Sequence, residues 1–156
     1  MIEAIKSQTL HRQPMHILVM TRIMPSHSLG GMQKQTMDLC TGFTDAGHDV
    51  TVITTARADG IESELLDGVQ IHYLQGCKPG YYSKKWNKYC REKITSLHHI
   101  KPIDVIHSQS MGAIGVLNWA KKNSIPIVST WHGTSLTEIT TFFSSASYHP
   151  RYWHWL

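Results

Sequence analysis

The stretch PSHSLGGMQKQTMDLCTGFTDAGHDVTVITT, residues 25–55, decides the fold. A glycine pair, Gly30 and Gly31, precedes a segment whose apolar stripe has helical spacing. The stripe consists of Met32, Thr36, Leu39 and Phe43, with Cys40 beside it. Gly47 follows where a left-handed helix C-cap is favoured, and Val50–Thr54 is typical of a strand. The stretch therefore predicts a loop, a helix, a turn and a strand in succession.

Further strand predictions place this unit in a larger sheet. The run HILVMT, residues 16–21, is almost continuously apolar, as in strands that are covered on both faces. Other strands are predicted at Val69–Leu74, Ile103–His107 and Ile125–Thr130. The acidic, turn-rich segment 56–68 is predicted to be a loop, as is Gly76–Tyr82 with its glycines and proline.

Two more helices are predicted between these strands. The first carries an apolar stripe at i, i+3, i+4 spacing, formed by Trp86, Tyr89, Cys90, Ile94 and Leu97, into which Lys93 intrudes. The second covers residues 110–123 and is expected to turn Ala113, Val116, Leu117 and Ala120 inward. Because strands alternate with helices, the prediction is an α/β protein: a Rossmann-like parallel sheet with helices on both faces.

Composition narrows the class of protein. A chain of 156 residues predicts one domain, and 41% apolar with 17% charged residues is typical of globular proteins. Residues 1–15 form a polar lead-in without the apolar core of a secretory signal, and no run approaches the ~20 apolar residues of a membrane span. We therefore expect a cytoplasmic protein. The net charge of +4 is modest and predicts no nucleic-acid partner.

Cationic and metal-ligating residues are sparse or scattered. The densest basic cluster lies on one predicted helix and consists of Lys84, Lys85, Lys88, Arg91 and Lys93. It is either a solvated face or a surface for phosphate or the inner membrane surface. Three cysteines without CxxC spacing suit a reducing compartment, and eleven histidines show neither HxxxH nor HExxH spacing. We expect no metal site.

Ligands of open parallel sheets bind at the carboxyl ends of the strands, so the loops after those ends are the ones to inspect. They are Arg22–Gly31, Ser108–Met111 and Trp131–Ser135. These loops hold many of the Gly, Ser, Thr and His residues that could contact a polar ligand. Their convergence predicts a binding site at one edge of the sheet.

The glycine pair has two interpretations. Without Cβ atoms, Gly30 and Gly31 would let a phosphate approach the backbone N–H groups at the helix start. Alternatively, the pair forms a tight turn that only glycine can make. It matches neither the GxGxxG fingerprint, whose first glycine directly follows the strand, nor a Walker loop.

Two polar residues in the other loops could carry chemistry. His132 follows a predicted strand and could donate to a sugar hydroxyl or a phosphate oxygen, or could brace the loop. Ser110, in SQSMG, departs from the GxSxG nucleophile elbow at its first position, which leaves an α/β-hydrolase as an alternative. His107 is predicted to be a satisfied core residue.

Carboxylates are scarce at this edge of the predicted sheet. Glu138 is expected near the site, whereas Asp49 and Asp104 begin strands and others lie in helices or in the acidic loop. A carboxylate pair for acid–base hydrolysis is therefore not expected. Chemistry that depends on positioning and charge stabilisation fits better.

Three motifs in order resemble one enzyme family. They are PSHSLGGM with the following FTDAGHDVTVIT, then DVIHSQS, then IPIVSTWHGTS, and the resemblance runs from about residue 16 to residue 135. Together they resemble the N-terminal half of GT-B fold glycosyltransferases of family 4. The resemblance implies a hexosyltransferase of carbohydrate biosynthesis that moves a sugar from a nucleotide-sugar donor to a hydroxyl acceptor, with retention. No cofactor or essential metal is implied.

The resemblance also implies roles for residues. Gly30 and Gly31 would lie against the donor diphosphate, and His132 would contact the donor sugar as the catalytic residue. The sugar or lipid-linked acceptor, or the donor sugar, would meet Ser108, Ser110, Met111, Gly133 and Thr134.

In this family a second Rossmann-like domain holds most of the donor, and the 156 residues do not include one. We expect an acceptor-side domain at 16–147 and a truncated aromatic end at 148–156. The chain would then be a fragment or one subunit of a split enzyme, with little turnover alone. An alternative is a non-catalytic Rossmann-like module that binds a protein partner through its aromatic end.

Overall fold

A computed structural model describes residues 13–132, which form a six-stranded sheet with helices on both faces. The strands are β1 His16–Met20, β2 Asp49–Thr55, β3 Ser63–Leu66, β4 Val69–Leu74, β5 Val105–Gln109 and β6 Ile127–Thr130. The helices are α1 Gly31–Asp45, α2 Lys84–Ile100 and α3 Leu117–Lys122, with a 3₁₀ turn at Ile114–Val116. The predicted α/β class is confirmed.

The sheet has the order β3-β4-β2-β1-β5-β6, and all pairings except β3 with β4 are parallel. If β3 is left out and the five parallel strands are numbered 1 to 5 along the chain, their order across the sheet is 3-2-1-4-5. This is the doubly wound arrangement, whose chain direction across the sheet reverses between β1 and β5. Ligands of such sheets bind beyond the carboxyl ends of the strands at that reversal point.

Strand alternation divides the core between the two faces. Leu18 and Met20 of β1 join the cluster under α2 and α3, whereas Ile17 and Val19 join the cluster under α1. Trp86 of α2 is fully buried, and its indole N–H donates to the Gly112 carbonyl at 3.0 Å. Both faces of β1 are therefore buried against packed side chains, which explains its continuous apolar run.

The buried face of α1 differs from the predicted stripe. Thr36 and Cys40 are buried as expected, but the other buried side chains are Gln33 and Met37, while Leu39 is only half-buried. Two neighbouring apolar stripes exist on this helix, and its sequence alone does not distinguish them. Gly47 is confirmed as the left-handed residue after the helix, with φ +87°.

Two strand predictions need correction. The acidic segment contains β3, an antiparallel edge strand, because Ser63–Leu66 pairs along the outer side of β4. The fourth predicted strand lies two residues later than expected, at β5. Ser108 and Gln109 are polar and ended the predicted run, but both are buried and pair with β6.

The region after β5 is less regular than the single helix predicted. Residues 110–116 form turns and a 3₁₀ segment before α3 begins, so the helical phase changes. Ala113, Val116 and Ala120 are buried as predicted, whereas Leu117 is 50% exposed. In β6, Val128 is 56% exposed, since β6 is the last strand on that side of the described sheet.

Candidate functional site at the carboxyl edge

The described residues that follow β1, β5 and β6 lie along one edge of the sheet, as the strand order predicts. β1 pairs with β5 and β5 with β6, so the three carboxyl ends span roughly 10 Å, given ~4.8 Å between strands. The glycine pair follows β1, Ser110 follows β5 and His132 follows β6. Gly30, Gly31, Ser110 and His132 therefore follow neighbouring strands at the reversal point of the sheet.

Gly31 begins α1 and needs no glycine for structural reasons among the described residues. Its φ is not positive, and a Cβ added there would meet nothing within 4 Å. A tight turn that only glycine can make is therefore not what occupies this position. The open space above Gly31 is available to a ligand.

The first turn of α1 is uncapped within the described chain. Gly30 occupies the N-cap position in an extended conformation and has no side chain to accept hydrogen bonds. The first intrahelical bond runs from the Lys34 N–H to the Gly30 carbonyl at 3.0 Å. No acidic residue lies in the first turn, so the partial positive charge of the helix end stays uncompensated there. Such an end binds anions.

Gly30 differs from Gly31 in its surroundings. A Cβ at Gly30 would lie 2.6 Å from Oε1 of Gln33, whose amide Nε2 donates to Ser28 Oγ at 2.9 Å. The Gln33 side chain therefore packs against the loop backbone at Gly30. Gly30 serves this close approach, whereas Gly31 faces open space.

The turn after β5 is held by Ser108. Its buried hydroxyl donates to the Ser110 carbonyl at 2.9 Å and accepts from the Ala113 N–H at 3.0 Å. Ser110 itself adopts a left-handed conformation, with φ +52°. Ser108 thus braces the turn that presents Ser110, while Met111 is exposed beside it.

Gln109 is a site residue that sequence reasoning did not single out. Its side chain is 1% exposed, and its Oε1 accepts from Nε2 of His132 at 2.5 Å. This bond fixes the proton on Nε2 of His132. The amide nitrogen of Gln109 is buried without a partner among residues 13–132. Gln109 lay within the predicted loop, but its polarity gave no sign that it would be buried.

His107 lies on the same face of β5 as Gln109 and is buried as predicted, but it is not the fully satisfied core residue that was expected. Its Nε2 bonds to Thr130 Oγ1 at 2.8 Å, while Nδ1 has no partner among the described atoms. Burial lowers the pKa of His107, and the nearby His132 lowers it further. The neutral form of the His107 imidazole is therefore favoured.

The carboxylates lie largely away from this edge. Asp49 pairs with Lys101, which lowers the pKa of Asp49, and Asp104 accepts from the His16 N–H at 2.7 Å at the opposite edge. Glu64 was predicted to lie in the acidic loop, away from the site. In the structure it reaches the Arg22–Gly31 loop through Tyr73.

Several predictions fall outside the described residues. Gly133, Thr134, Glu138 and the aromatic end at 148–156 are among them, so their roles stay predictions.

The basic helix is α2, on which Lys84, Lys85, Lys88 and Arg91 are exposed. Among the described helices, none is both long and apolar enough to span a bilayer. Over residues 13–132, no group of three His, Cys, Asp or Glu side chains could hold a metal ion.

The hydrolase alternative finds little support at Ser110. Its positive φ is one feature of a nucleophile elbow. Nevertheless, the described histidine beside it, His132, bonds to Gln109 and not to the Ser110 hydroxyl. Over residues 13–132, Ser110 therefore lacks the serine–histidine hydrogen bond that activates such a nucleophile.

Comparisons with known proteins agree with the geometry. The model of Glycosyltransferase Family 4 matches residues 29–156. A structure of sucrose-phosphate synthase from Thermosynechococcus elongatus superposes with a TM-score of 0.61 at 14% identity, covering 85% of this chain and 36% of that one. A second structure of that synthase gives 0.51 at 14% identity, covering 82% and 68%. No curated protein matches by sequence.

The described sheet has the α/β fold of a GT-B type domain, and the family model matches most of the chain. The chain belongs to glycosyltransferase family 4. It spans little more than a third of the first synthase structure.

Proposed function

We propose that this chain is the acceptor-side domain of an enzyme that transfers a sugar from a nucleoside diphosphate-sugar to a hydroxyl acceptor, with retention. One observation carries the proposal. Gly31 stands at an uncapped helix N-terminus, at the reversal point of the sheet, where neither its φ nor a neighbouring atom requires glycine. A diphosphate is the group of the donor that such a position suits.

The described residues can divide the work of transfer. The backbone N–H groups at the start of α1 would hold the diphosphate, which leaves as the bond from the anomeric carbon to its oxygen breaks. His132, oriented by the bond from its Nε2–H to Gln109, would accept at Nδ1 a hydrogen bond from a hydroxyl of the donor sugar beside that carbon. The acceptor oxygen would approach over Ser110 and Met111, bond to the anomeric carbon and pass its proton to the departing diphosphate oxygen. Positioning and charge stabilisation would supply the rate enhancement.

Partners and location follow from the same proposal. The donor also needs a second domain, in the same polypeptide or in a partner subunit. The acceptor is a sugar or a lipid-linked molecule, and the exposed basic face of α2 suits a phosphate-bearing one at the inner membrane surface. We expect a cytoplasmic enzyme that needs no metal.

The test is nucleotide release by the protein as it occurs in its source cells. The protein is incubated with UDP-, GDP- and ADP-sugars and a panel of hydroxyl acceptors, and free nucleoside diphosphate is measured. We expect release with one donor, reduced at least 100-fold by His132→Ala. His99→Ala, at the exposed end of α2, is the matched control and should keep full activity. Equal rates for the two variants would refute the role of His132.

A further inference from the structure

The loop between β1 and α1 is tied to the outer strands by a chain of polar contacts. Ser26, four residues before Gly30, bonds through Oγ to the hydroxyl of Tyr73 on β4 at 2.7 Å. The same hydroxyl donates to Glu64 Oε1 on β3 at 2.5 Å. Since the Tyr73 proton goes to Glu64, the hydroxyl of Ser26 must donate to Tyr73.

Arg57 completes the chain. Its Nη1 donates to the second oxygen of Glu64 at 3.0 Å, and its guanidinium lies 5.2 Å above the ring of Tyr73. Two further bonds, at 3.0 and 2.6 Å, join Arg57 to Asp59. Arg57 therefore holds the Glu64 carboxyl group in place as an acceptor for Tyr73. Burial raises the pKa of Tyr73, and its bond to Glu64 raises it further, so the phenol stays protonated.

His27 adds a second attachment beside the first. Its ring packs on Tyr73 with centroids 5.6 Å apart. Its Nδ1 accepts from the Met24 N–H at 3.1 Å, so the proton is on Nε2, which donates to the Thr55 carbonyl at 3.0 Å. Both ring nitrogens are therefore committed to holding the loop.

The strand that supplies Glu64 contributes little apolar packing. Leu65 is 71% and Leu66 39% exposed, and β3 pairs with β4 alone. By contrast, Tyr73 is 2% exposed. Besides its backbone pairing with β4, β3 contacts Tyr73 and Arg57 through the partly buried side chain of Glu64.

We propose that Tyr73, held by Glu64 and Arg57, is a positioning residue that fixes the Arg22–Gly31 loop and so sets the affinity for the donor diphosphate. The inference rests on the proposed function. Without the bond from Ser26 to Tyr73, the segment leading to Gly31 would sample more conformations. Fewer molecules would then present the helix start in its binding geometry, and the apparent affinity would fall by that fraction.

The test compares Tyr73→Phe with Tyr81→Phe in the full chain. Tyr73→Phe keeps the ring and removes the hydroxyl, whereas Tyr81 is 54% exposed and its hydroxyl has no bond among the described residues. Hydrogen exchange of residues 22–31 and the dissociation constant for UDP or GDP are measured in parallel. We expect Tyr73→Phe to speed loop exchange and weaken binding, each about 5- to 10-fold, and Tyr81→Phe to change neither.

Ser26→Ala identifies the bond responsible. It should reproduce both effects, and the double variant with Tyr73→Phe should be no worse than Tyr73→Phe alone, since each single variant already removes the bond between Ser26 and Tyr73. Unchanged loop exchange in Tyr73→Phe overturns the inference, as does faster exchange with unchanged affinity. If the unaltered chain binds no nucleoside diphosphate, the proposed function and the effect on affinity both fail. Hydrogen exchange of residues 22–31 then tests only whether Tyr73 fixes the loop.

Discussion

Replacement of Gly31 by valine separates a structural role of this glycine from a ligand-facing one. A Cβ at this position meets nothing within 4 Å, and the backbone φ is accessible to any residue. Valine at a first helical position is no worse a helix former than glycine. We therefore expect the free energy of unfolding to change by less than about 0.5 kcal/mol, equivalent to roughly 1–2 °C in Tm for a chain of this size.

The effect on ligand binding should be much larger. A valine side chain at the helix start would occupy the space through which a phosphate approaches the backbone N–H groups. A hydrogen bond to a charged group contributes about 1.5–3 kcal/mol, so loss of one such contact weakens binding roughly 10- to 100-fold. The ratio of the effect on binding to the effect on stability is what identifies a ligand-facing glycine.

Gly42→Val is the matched control. Gly42 lies in the same helix, and a Cβ there also meets nothing within 4 Å, but it is remote from the carboxyl edge. Calorimetric titration with a nucleoside diphosphate and thermal unfolding are recorded for both variants. Equal affinities of Gly31→Val and Gly42→Val would refute the reasoning. So would a Tm that falls by more than about 5 °C in Gly31→Val alone, since this would reveal a structural role.

Three further predictions concern stability and the site. Burial lowers the pKa of His72 to about 4, below its unfolded value near 6.5, so stability present above pH 6.5 is lost as the pH falls toward 4. Because the ring is half-exposed, we expect about 1 kcal/mol less stability at pH 5 than at pH 7, relative to His72→Gln, in urea titrations at both pH values. Gly112→Ala should cost about 1–3 kcal/mol in the same assay, since a Cβ there would lie 2.3 Å from the Met20 carbonyl; an unchanged midpoint would show that this contact relaxes freely. Gln109→Met keeps the side-chain volume but removes the acceptor, so the Nε2 proton of His132 should exchange faster in ¹⁵N NMR spectra; an unaltered signal would contradict this bond.

Much of the fold could be predicted because the parallel strands signal themselves locally. The apolar run of β1 reflects burial on both faces, and Gly47 marks the end of α1 by its left-handed conformation. Strand β3 could not be predicted, because its few apolar residues are exposed and its pairing with β4 is what defines it. The same holds for the end of β5, where Gln109 is a strand residue only through its pairing with β6.

The candidate site, like the fold, could be predicted from the sequence only in part. Ligands of open parallel sheets bind at the carboxyl ends of the strands, and this rule needs only the strand order along the chain. The three loops could therefore be identified from the sequence. The same rule does not predict which side chains form hydrogen bonds across the sheet. Gln109 with His132, and Tyr73 with Ser26, are 23 and 47 residues apart and are brought together by strand pairing. Neither pair has a spacing that a sequence pattern could reveal.

The most direct test of the central claim is chemical-shift mapping of this chain by ¹⁵N NMR during titration with UDP-, GDP- and ADP-sugars. The account predicts that one donor perturbs the backbone amides of Gly31, Met32 and Gln33 most strongly, together with the side chains of Gln109 and His132. Saturating perturbations confined to any other surface, or none at millimolar donor, would contradict a donor site at this edge of the sheet.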